Sequence, residues 1–409
     1  MTYGADLARL DFWARPPAER HQAFAKLRAA GEPVFVEYPL PGQPVNGFYA
    51  LTRHAEILEV SRNPQVFSSE PTATSLDDPP SELRDYVGSM ISLDDPRHAR
   101  MRRIVSRAFT PRMVKKFEDD VSLIAAQIVD GLAERGPCDF VADVAMPLPL
   151  TIICAMMGIP ESAYGDVIDA TNVIIAIGDP EYVGPDGQDR VSVLIEKFSF
   201  LHALMGELAQ ARRANPSDDL VTALVHADVN GDFLTERELG KFFGLLVVAG
   251  NETTRTALSH ALTLFTDHPD QRALLLDDLE ARLPAAVEEV VRYATPVTWM
   301  RRTVTRDVEL LGHTYRAGER VVLYYNSANR DEAVFDRPDV FDITRTPNPH
   351  VGFGGPGPHF CLGAHLARRE ITVLLRELFT RLPGIHTTAP PVRQRTSFVN
   401  GINRLPCAF

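Results

Sequence analysis

One cysteine stands in a sequence setting that favours chemistry. Cys361 follows the Gly/Pro-rich run Gly352–Phe360 and precedes a predicted helix over Leu362–Leu382. Free N–H groups and the positive dipole end at a helix start stabilise a thiolate, and glycines let a flat ligand approach the backbone. No Cys or His partner stands at zinc-ligand spacing, whereas one thiolate suffices as the protein ligand of haem iron. The alternative interpretation is a small buried hydrophobe.

An acid and an alcohol follow each other inside a second predicted helix, Thr235–Phe265. The segment Ala249–Thr254 reads AGNETT, so Gly250 and Asn251 interrupt an apolar run. A threonine can hydrogen-bond the carbonyl four residues back and loosen the helix locally. Taken alone, this pattern also fits a buried helix with one solvated polar turn.

Two further groups of charged residues have helical spacing. Glu289 and Arg292 are three residues apart, and His98 and Arg102 are four apart, so each pair lies on one helix face. A His and an Arg on one side are the donors that a buried carboxylate requires. Without further context, an i, i+3 ion pair is a surface feature.

Taken together, these segments resemble the cytochrome P450 family. The cysteine run is similar to the family's haem-thiolate signature Phe-Gly-x-Gly-x-His-x-Cys-x-Gly, except that Phe353 stands eight residues before Cys361 rather than seven. The longer form resembles a bacterial subset acting on steroids, isoprenoids or methyl-branched lipids, and some members acting on carrier-bound amino acids. The resemblance implies a mainly α fold, a single domain over residues 1–409 with a minor β region enclosing haem.

The resemblance also assigns the cofactor and the residues around it. It implies haem b, iron protoporphyrin IX, with Cys361 as the metal ligand. The haem propionates would be held by His98, Arg102, Arg302 and His359. Arg301 is the competing choice for Arg302.

Catalytic and structural roles follow in the same way. The resemblance implies that Glu252 and Thr253 help deliver protons to iron-bound dioxygen, with Glu in place of the more frequent Asp. It gives Glu289, Arg292 and Arg345 a structural role in supporting the haem loop. None of these three is expected to be catalytic.

A hydrophobic pocket is expected above the haem. Its predicted lining is mostly apolar, which implies a substrate held with few directed hydrogen bonds. The predicted residues are Met90, Leu245, Val248, Ala249, Thr298, Trp299, Met300, Phe398 and Val399.

The net charge and its distribution along the chain indicate which binding partners are favoured. The 409 residues carry a formal charge of −12, which opposes binding to nucleic acid or an anionic membrane. The stretch Pro96–Phe117 reverses this sign with eight Lys/Arg and no acid. A solvated helix face is one explanation. The resemblance offers docking of an acidic ferredoxin at Arg112, Lys115 and Lys116, with ferredoxin reductase and NAD(P)H as the electron source.

The elements that must position these residues are mostly helices. Periodicity predicts helices over Met113–Arg135, Ala142–Met157, Val191–Arg213, Thr235–Phe265, Pro269–Asp278 and Leu283–Tyr293. Strand patterns are confined to a hairpin within Pro33–Arg53 and to Thr303–Leu310 and Arg320–Tyr325. Met1–Arg20 lacks the apolar core of a signal peptide, and four unpaired cysteines favour a reducing compartment. We therefore expect a cytoplasmic protein, and the resemblance implies a monomer.

The predicted function is hydroxylation of an unactivated C–H bond of a steroid, terpenoid or branched lipid by a haem-thiolate monooxygenase, with O2 and ferredoxin-delivered electrons. One alternative is a natural-product tailoring hydroxylase, for example one acting on an amino acid bound to a carrier protein. An alternative of another class is a haem-binding sensor or carrier without turnover. A sensor has little need of the acid and alcohol at Glu252 and Thr253.

Overall fold

The computed structural model describes residues 7–38, 47–84, 86–109, 111–175, 177, 179, 189–228 and 231–409, without the side chains at 111, 112, 114 and 116. The α-helices in this part of the chain are α1 (Leu10–Trp13), α2 (Pro17–Ala29), α3 (His54–Arg62), α4 (Arg97–Ala108), α5 (Pro111–Arg135), α6 (Pro147–Met157), α7 (Tyr164–Ile175), α8 (Arg190–Ala214), α9 (Leu220–Val225), α10 (Glu236–Asp267), α11 (Pro269–Asp277), α12 (Leu279–Ala294), α13 (Tyr325–Ala328) and α14 (Ala364–Arg381).

The strands are short. They are β1 (Val34–Glu37), β2 (Gly47–Leu51), β3 (Phe67–Ser68), β4 (Cys138–Asp139), β5 (Trp299–Val304), β6 (Val308–Leu310), β7 (His313–Tyr315), β8 (Arg320–Tyr324), β9 (His386–Thr387), β10 (Val392–Arg393), β11 (Ile402–Arg404) and β12 (Pro406–Ala408). The mainly α fold with a minor β region is confirmed.

The long helix α10 shows how local sequence sets a boundary. Thr235 caps the helix: its hydroxyl accepts from the Glu238 N–H at 3.2 Å, and the Glu238 carboxylate accepts from the Thr235 N–H at 2.8 Å. The predicted helices over α5, α8, α10 and α11 match the observed ones within a few residues. The predicted Ala142–Met157 helix divides into a π-helical turn, Val141–Ala145, and α6, which starts at Pro147 because proline favours the first helical position.

The largest sheet has the strand order β1-β2-β8-β5-β3. The predicted hairpin is confirmed, since β1 and β2 pair antiparallel, with Val34 opposite Ala50. The predicted strand over Thr303–Leu310 ends correctly at Leu310, but its start is wrong because β5 begins at Trp299, and it is interrupted between β5 and β6. Strand β5 pairs antiparallel with β8 and therefore carries Arg301 and Arg302 on opposite faces of the sheet.

The main apolar core surrounds α10, which contacts α6, α7, α8, α12 and α14. Two smaller clusters lie against the large sheet. Among the described helices, none is both long and apolar enough to cross a membrane.

One cysteine pair was not predictable from spacing along the chain. Cys138 and Cys407 lie directly opposite each other on β4 and β12, and their sulfur atoms are 3.5 Å apart. They are 269 residues apart in sequence. Only the pairing of the strands brings them together.

Candidate functional site

The segment Gly352–Gly363, called the Cys361 loop, ends where α14 begins. The Cys361 N–H donates to the Phe353 carbonyl at 3.0 Å, which closes the loop. Burial raises the pKa of the thiol, while a backbone N–H of Gly363 and the charges of Arg102 and Arg368 act in the opposite direction. Cys361 is nevertheless an exposed residue, so part of its surface is accessible to solvent. A thiol densely surrounded by protein yet accessible is placed to face a ligand in a cleft.

Three glycines of this loop occupy positions where a side chain would not fit or would strain the backbone. Gly354 has φ +89° and Gly357 has φ +153°, which only glycine adopts readily. A Cβ on Gly357 would collide with the Ser61 carbonyl, and one on Gly355 with the Ser61 hydroxyl. The loop therefore packs its backbone directly against the end of α3.

His98 and Arg102 face this loop from α4, as their spacing predicts. The His98 ring lies 4.2 Å from the His359 ring, centroid to centroid. Arg102 donates to the Phe360 carbonyl at 2.9 Å. His98 is 1% exposed, and neither of its ring nitrogens makes a hydrogen bond within the described structure. The nearest carboxylate oxygen, of Asp95, is 3.4 Å from Nδ1.

Adjacent arginines on β5 have different surroundings. Arg301 is ion-paired with Asp78 at 2.5 Å and donates to the Leu76 carbonyl at 3.0 Å. Arg302 is also buried but donates only to the Arg301 carbonyl at 2.7 Å, and no described carboxylate forms an ion pair with it. Burial lowers its pKa. Arg302 therefore has guanidinium donors left for a bound anion. In Arg301 both NH2 groups are engaged, and only its Nε lacks a hydrogen bond within the described structure.

The four predicted propionate ligands are arginines and histidines, and none of them carries a negative charge. Burial and the neighbouring charges of Arg302, His98 and Arg102 lower the pKa of His359 to about 3, so its imidazole is neutral at pH 7. Its Nε2 lies 3.0 Å from the Ser69 hydroxyl. The carboxylate of Asp94 is held by the Ser69 N–H at 2.9 Å and by the Ser68 hydroxyl.

We call His98, Arg102, Arg302 and His359 the cationic cluster. Two arginines and two histidines meet beside the Cys361 loop. In the described structure neither ring nitrogen of His98 makes a hydrogen bond, although Nδ1 lies 3.4 Å from the Asp95 carboxylate, and the Arg302 guanidinium has no ion pair. Two carboxylates on the ligand would supply the missing acceptors and charge. Haem carries two propionates, so the residues present fit that group, and the assignment of each residue to it remains a prediction.

The acid and alcohol lie in an unbroken stretch of α10. Thr253 donates to the Ala249 carbonyl at 2.7 Å, as the sequence predicts. Glu252 is 1% exposed and ion-paired with Arg255, which also donates to the Asn172 amide oxygen at 3.0 Å. The carboxylate is therefore engaged within the protein. A role for Glu252 in proton delivery stays a prediction and requires it to exchange this partner.

A buried network joins α12 to the chain that leads to the loop. Glu289 and Arg292 are fully buried and doubly hydrogen-bonded, with two N–O distances of 2.7 Å. Arg345 lies 3.4 Å from Glu289, and the Asp342 N–H donates to it at 2.9 Å. Arg292 uses its remaining donors on the carbonyls of Asn329, Pro338 and Val340. We call Glu289, Arg292 and Arg345 the Glu289 network.

Sequence reasoning missed a second link to the loop. Arg368 on α14 lies over the Phe353 ring, 4.3 Å from its centroid, and donates to Glu288 at 2.5 and 2.8 Å. Burial disfavours the Glu288 carboxylate, but the donors Arg368 and His350 outweigh it and lower the pKa to about 2. The visible signal was an arginine seven residues after the cysteine, which has no meaning until α14 is packed on α12.

A buried acid on α14 was missed as well. Glu370 is 2% exposed, and burial raises its pKa to about 8 although the Thr254 hydroxyl hydrogen-bonds it. The Asn251 amide, one turn earlier on α10, is buried with both polar atoms unpartnered in the described structure. Helix periodicity alone does not distinguish such polar positions from the core.

The predicted pocket residues do not all share one environment. Ala249 is exposed, and Leu245, Val248 and Met300 are partly buried, although their elements lie inside the molecule. Strand alternation puts Met300 on the face of Arg302, and these four side chains remain compatible with a pocket beside the cationic cluster.

The remaining pocket residues are more deeply packed. Trp299 belongs to the cluster of Phe12 and Trp13, and its ring is 5.2 Å from that of Phe398. It lies on the opposite face of β5 from Met300, so this packing does not support a role in the pocket. Met90, Thr298 and Val399 are all at most 5% exposed, and their contribution to a pocket stays a prediction.

The basic stretch is less positive than its sequence suggests. Arg100 is paired with Asp232 at 2.9 Å and Glu238 at 2.7 Å, and Arg97 with Glu70 at 2.5 Å. Lys115 is exposed. The side chains of Arg112 and Lys116 lie outside the described part, so the docking prediction rests structurally on Lys115.

Comparison with known proteins gives consistent matches. The sequence model of the cytochrome P450 family matches residues 183–402. The chain is 46% identical to the methyl-branched lipid omega-hydroxylase of Mycobacterium tuberculosis, over 99% of this chain and 95% of that protein. It is 38% identical to the steroid C26-monooxygenase of Mycolicibacterium smegmatis, over 87% and 82%.

A solved structure extends the likeness to the fold. A cytochrome P450 from Mycobacterium marinum in complex with pseudoionone superimposes with a TM-score of 0.91 at 43% identity, covering 98% of this chain and 97% of that chain. The likeness thus spans every element that carries the cationic cluster, the Glu289 network and the Cys361 loop.

Proposed function

The chain belongs to the cytochrome P450 family of haem-thiolate monooxygenases, and from this premise we propose that it hydroxylates a methyl-branched lipid, with a steroid or terpenoid as the nearest alternatives. The observation that carries the proposal is the 46% identity to a methyl-branched lipid omega-hydroxylase over nearly the whole length of both chains. The monooxygenase class predicted from the cysteine loop is thereby confirmed.

The apolar lining supports a hydrophobic substrate. Leu245, Val248 and Met300 are only partly buried and keep accessible apolar surface, and such surface favours a substrate recognised mainly by shape. Burial of hydrocarbon contributes about 25 cal/mol per Å². A branched alkyl chain can therefore bind well without ionic contacts.

We assign the cofactor as haem b, held by Cys361 on one side and by the cationic cluster at its carboxylates. When bound, this group activates dioxygen so that one oxygen atom enters a C–H bond and the other leaves as water. Burial raises the pKa of the Cys361 thiol, and the chain's own contribution is to offset part of this with the Gly363 N–H and the charges of Arg102 and Arg368. A bound metal ion would favour the thiolate further. Arg302 and His98 orient the group through its propionates.

Proton delivery is assigned to α10. Thr253 has its hydroxyl at the turn beside Ala249, where the helix is accessible. Glu252 would donate protons through solvent after releasing Arg255, and Arg255 retains Asn172 as a partner when it does. This arrangement favours a dioxygen-using enzyme over a haem sensor or carrier.

Electrons are proposed to come from a ferredoxin, itself reduced by ferredoxin reductase with NAD(P)H. The exposed Lys115 and its basic neighbours in α5 suit an acidic partner of this kind. We further propose that the chain acts as a single-domain monomer in the cytoplasm.

The substrate class is tested by titrating the purified ferric enzyme with compounds and recording the shift of its haem absorption band. A methyl-branched fatty acid is expected to shift the band at micromolar concentrations, a sterol and an isoprenoid ketone more weakly. A straight-chain fatty acid of equal carbon number is the matched control. If only carrier-bound amino acids produce a shift, the substrate is of the tailoring class and the proposal is wrong.

A further inference from the structure

A small polar cavity lies among residues that belong to neither the cationic cluster nor the Glu289 network. Its polar lining comes from α2, from the chain after α12, from α13 and its following loop, and from the segment before β11. These residues are Arg20, His21, Thr298, Asn326, Arg330 and Asn400. The space holds roughly one or two water-sized groups.

The charge around the cavity is positive. Arg20 is 9% exposed and Arg330 3%, and guanidinium groups keep their proton in proteins. Burial, together with repulsion from Arg393 and Arg330, lowers the pKa of Arg20 to about 10. Burial likewise lowers the pKa of Arg330 to about 10. Both groups are thus placed where a positive charge is disfavoured.

Compensating carboxylates are scarce in the described part of the chain. Arg330 has one, Asp339, at 3.4 Å, and that side chain is 69% exposed. Arg20 has no ion pair among the described residues and lies over the Trp13 ring at 5.9 Å. The more distant Arg393 has only the exposed Asp267 as an opposite charge.

Unpartnered polar atoms point to a missing acceptor. The Nε atom of Arg20 is buried without a hydrogen bond in the described structure. The Nε atom of Arg330 also makes none but lies 3.4 Å from the Asp339 carboxylate, and another of its nitrogens donates to the Tyr293 carbonyl at 2.9 Å. Burial also lowers the pKa of His21 to about 2, helped by four arginines, so this ring is neutral and offers one N–H donor. Two charged donors and a neutral one around one cavity are the composition of an anion site.

We propose that this cavity binds a monovalent anion of the size of chloride, held between Arg20 and Arg330. The cavity is too small for a lipid headgroup or a nucleotide phosphate. The bound anion would join α2 to the chain around Thr298, which leads into β5. This site is independent of the proposed substrate and of haem binding.

The test compares the thermal unfolding of the haem-loaded enzyme in sodium chloride and in sodium gluconate at equal ionic strength. Gluconate is too large for the cavity. We expect chloride to raise Tm by about 1–3 °C with saturation, as for binding to one site. Arg20→Met should abolish the chloride increment. Arg15→Met is the matched control, because it removes the same charge from an exposed position on the same N-terminal segment, over the Phe12 ring.

A second measurement covers the case in which Arg20→Met does not fold. A wild-type crystal soaked in sodium bromide should show an anomalous peak within hydrogen-bond distance of Arg20 and Arg330. The proposal is wrong if chloride and gluconate give equal Tm values in the wild type, if the increment persists in Arg20→Met, or if the soaked crystal has no bromide peak at this position.

Discussion

The Glu289 network and the cationic cluster are both made of buried charged side chains, yet they are satisfied in different ways. Arg292 has two bonds to Glu289 and three to carbonyls, so its donors are all used inside the chain. Arg302 has one bond, to the Arg301 carbonyl, and His98 has none in the described structure. A network that closes on itself supports the fold, whereas one that stays open needs a ligand.

This difference predicts opposite responses to mutation. Removing a member of a closed network leaves its partner buried and unpaired, and the fold loses stability. Removing a charged member of the cationic cluster relieves a buried charge and weakens only the binding of the ligand.

Glu289→Ala should destabilise the protein most. It leaves Arg292 and Arg345 without a counter-charge, which costs about 3–5 kcal/mol. Urea unfolding measures the loss. Glu280→Ala on the same helix is the control, because its pair with Arg376 is largely exposed and is worth less than about 1 kcal/mol. Equal losses would mean that the Glu289 network contributes no more than a surface pair.

Glu370→Gln should change how stability depends on pH. Burial raises the pKa of Glu370 from 4.5 to about 8, so the folded state keeps a proton that the unfolded state releases. Below pH 4.5 Glu370 is protonated in both states and its burial costs no ionisation free energy. As the pH rises from 4.5 to 8, the free energy of unfolding falls because only the unfolded state can release this proton. The Gln variant should therefore gain on the wild type by about 2–4 kcal/mol between pH 5 and 9. Urea unfolding at both pH values checks this, and parallel profiles would contradict it.

Arg302→Met should accelerate haem loss about tenfold, equivalent to about 1.4 kcal/mol, with little loss of unfolding free energy. The transfer of haem to an excess of apomyoglobin measures the rate. Arg301→Met is the matched control on the neighbouring position. Since Arg301 is paired with Asp78, that variant should lose stability more than haem. A reversal of the two phenotypes would assign the propionate to Arg301.

Lys115→Glu should have the smallest effect, because its charge is fully solvated. Reduction by a ferredoxin is expected to slow by about twofold to threefold at low salt and to be unchanged at high salt. Stopped-flow kinetics at two ionic strengths measure it. The control is Lys26→Glu, which reverses an exposed charge on α2. An equal effect of both variants would indicate a general charge effect rather than docking.

The sequence predicted what is local and left open what depends on packing. The Cys361 loop, the common face of His98 and Arg102, and the Glu289–Arg292 spacing are set within a few residues and were predictable. The pairing of Arg368 with Glu288 depends on how two helices pack. Glu252 and Arg255 have the same i, i+3 spacing as Glu289 and Arg292, so their ion pair was visible in the sequence and was missed.

Strand phase limited the rest. The position of Trp299 on the aromatic cluster depends on where β5 begins, and a shift of one residue reverses every side chain. The same alternation separates Arg301 from Arg302. The hairpin β1–β2 was predictable because its strands are close in sequence, but the contact of Cys138 with Cys407 crosses 269 positions.

We infer that the cationic cluster surrounds a haem whose iron is bound by Cys361. The difference spectrum of the reduced, carbon monoxide-bound protein reports the ligand of the iron. The wild type and the control Cys154→Ala, which alters a buried cysteine of α6, should both show the red-shifted Soret band of thiolate ligation. Cys361→Ala should lose it. A red-shifted band that persists in Cys361→Ala, or its absence in the wild type, would contradict the claim.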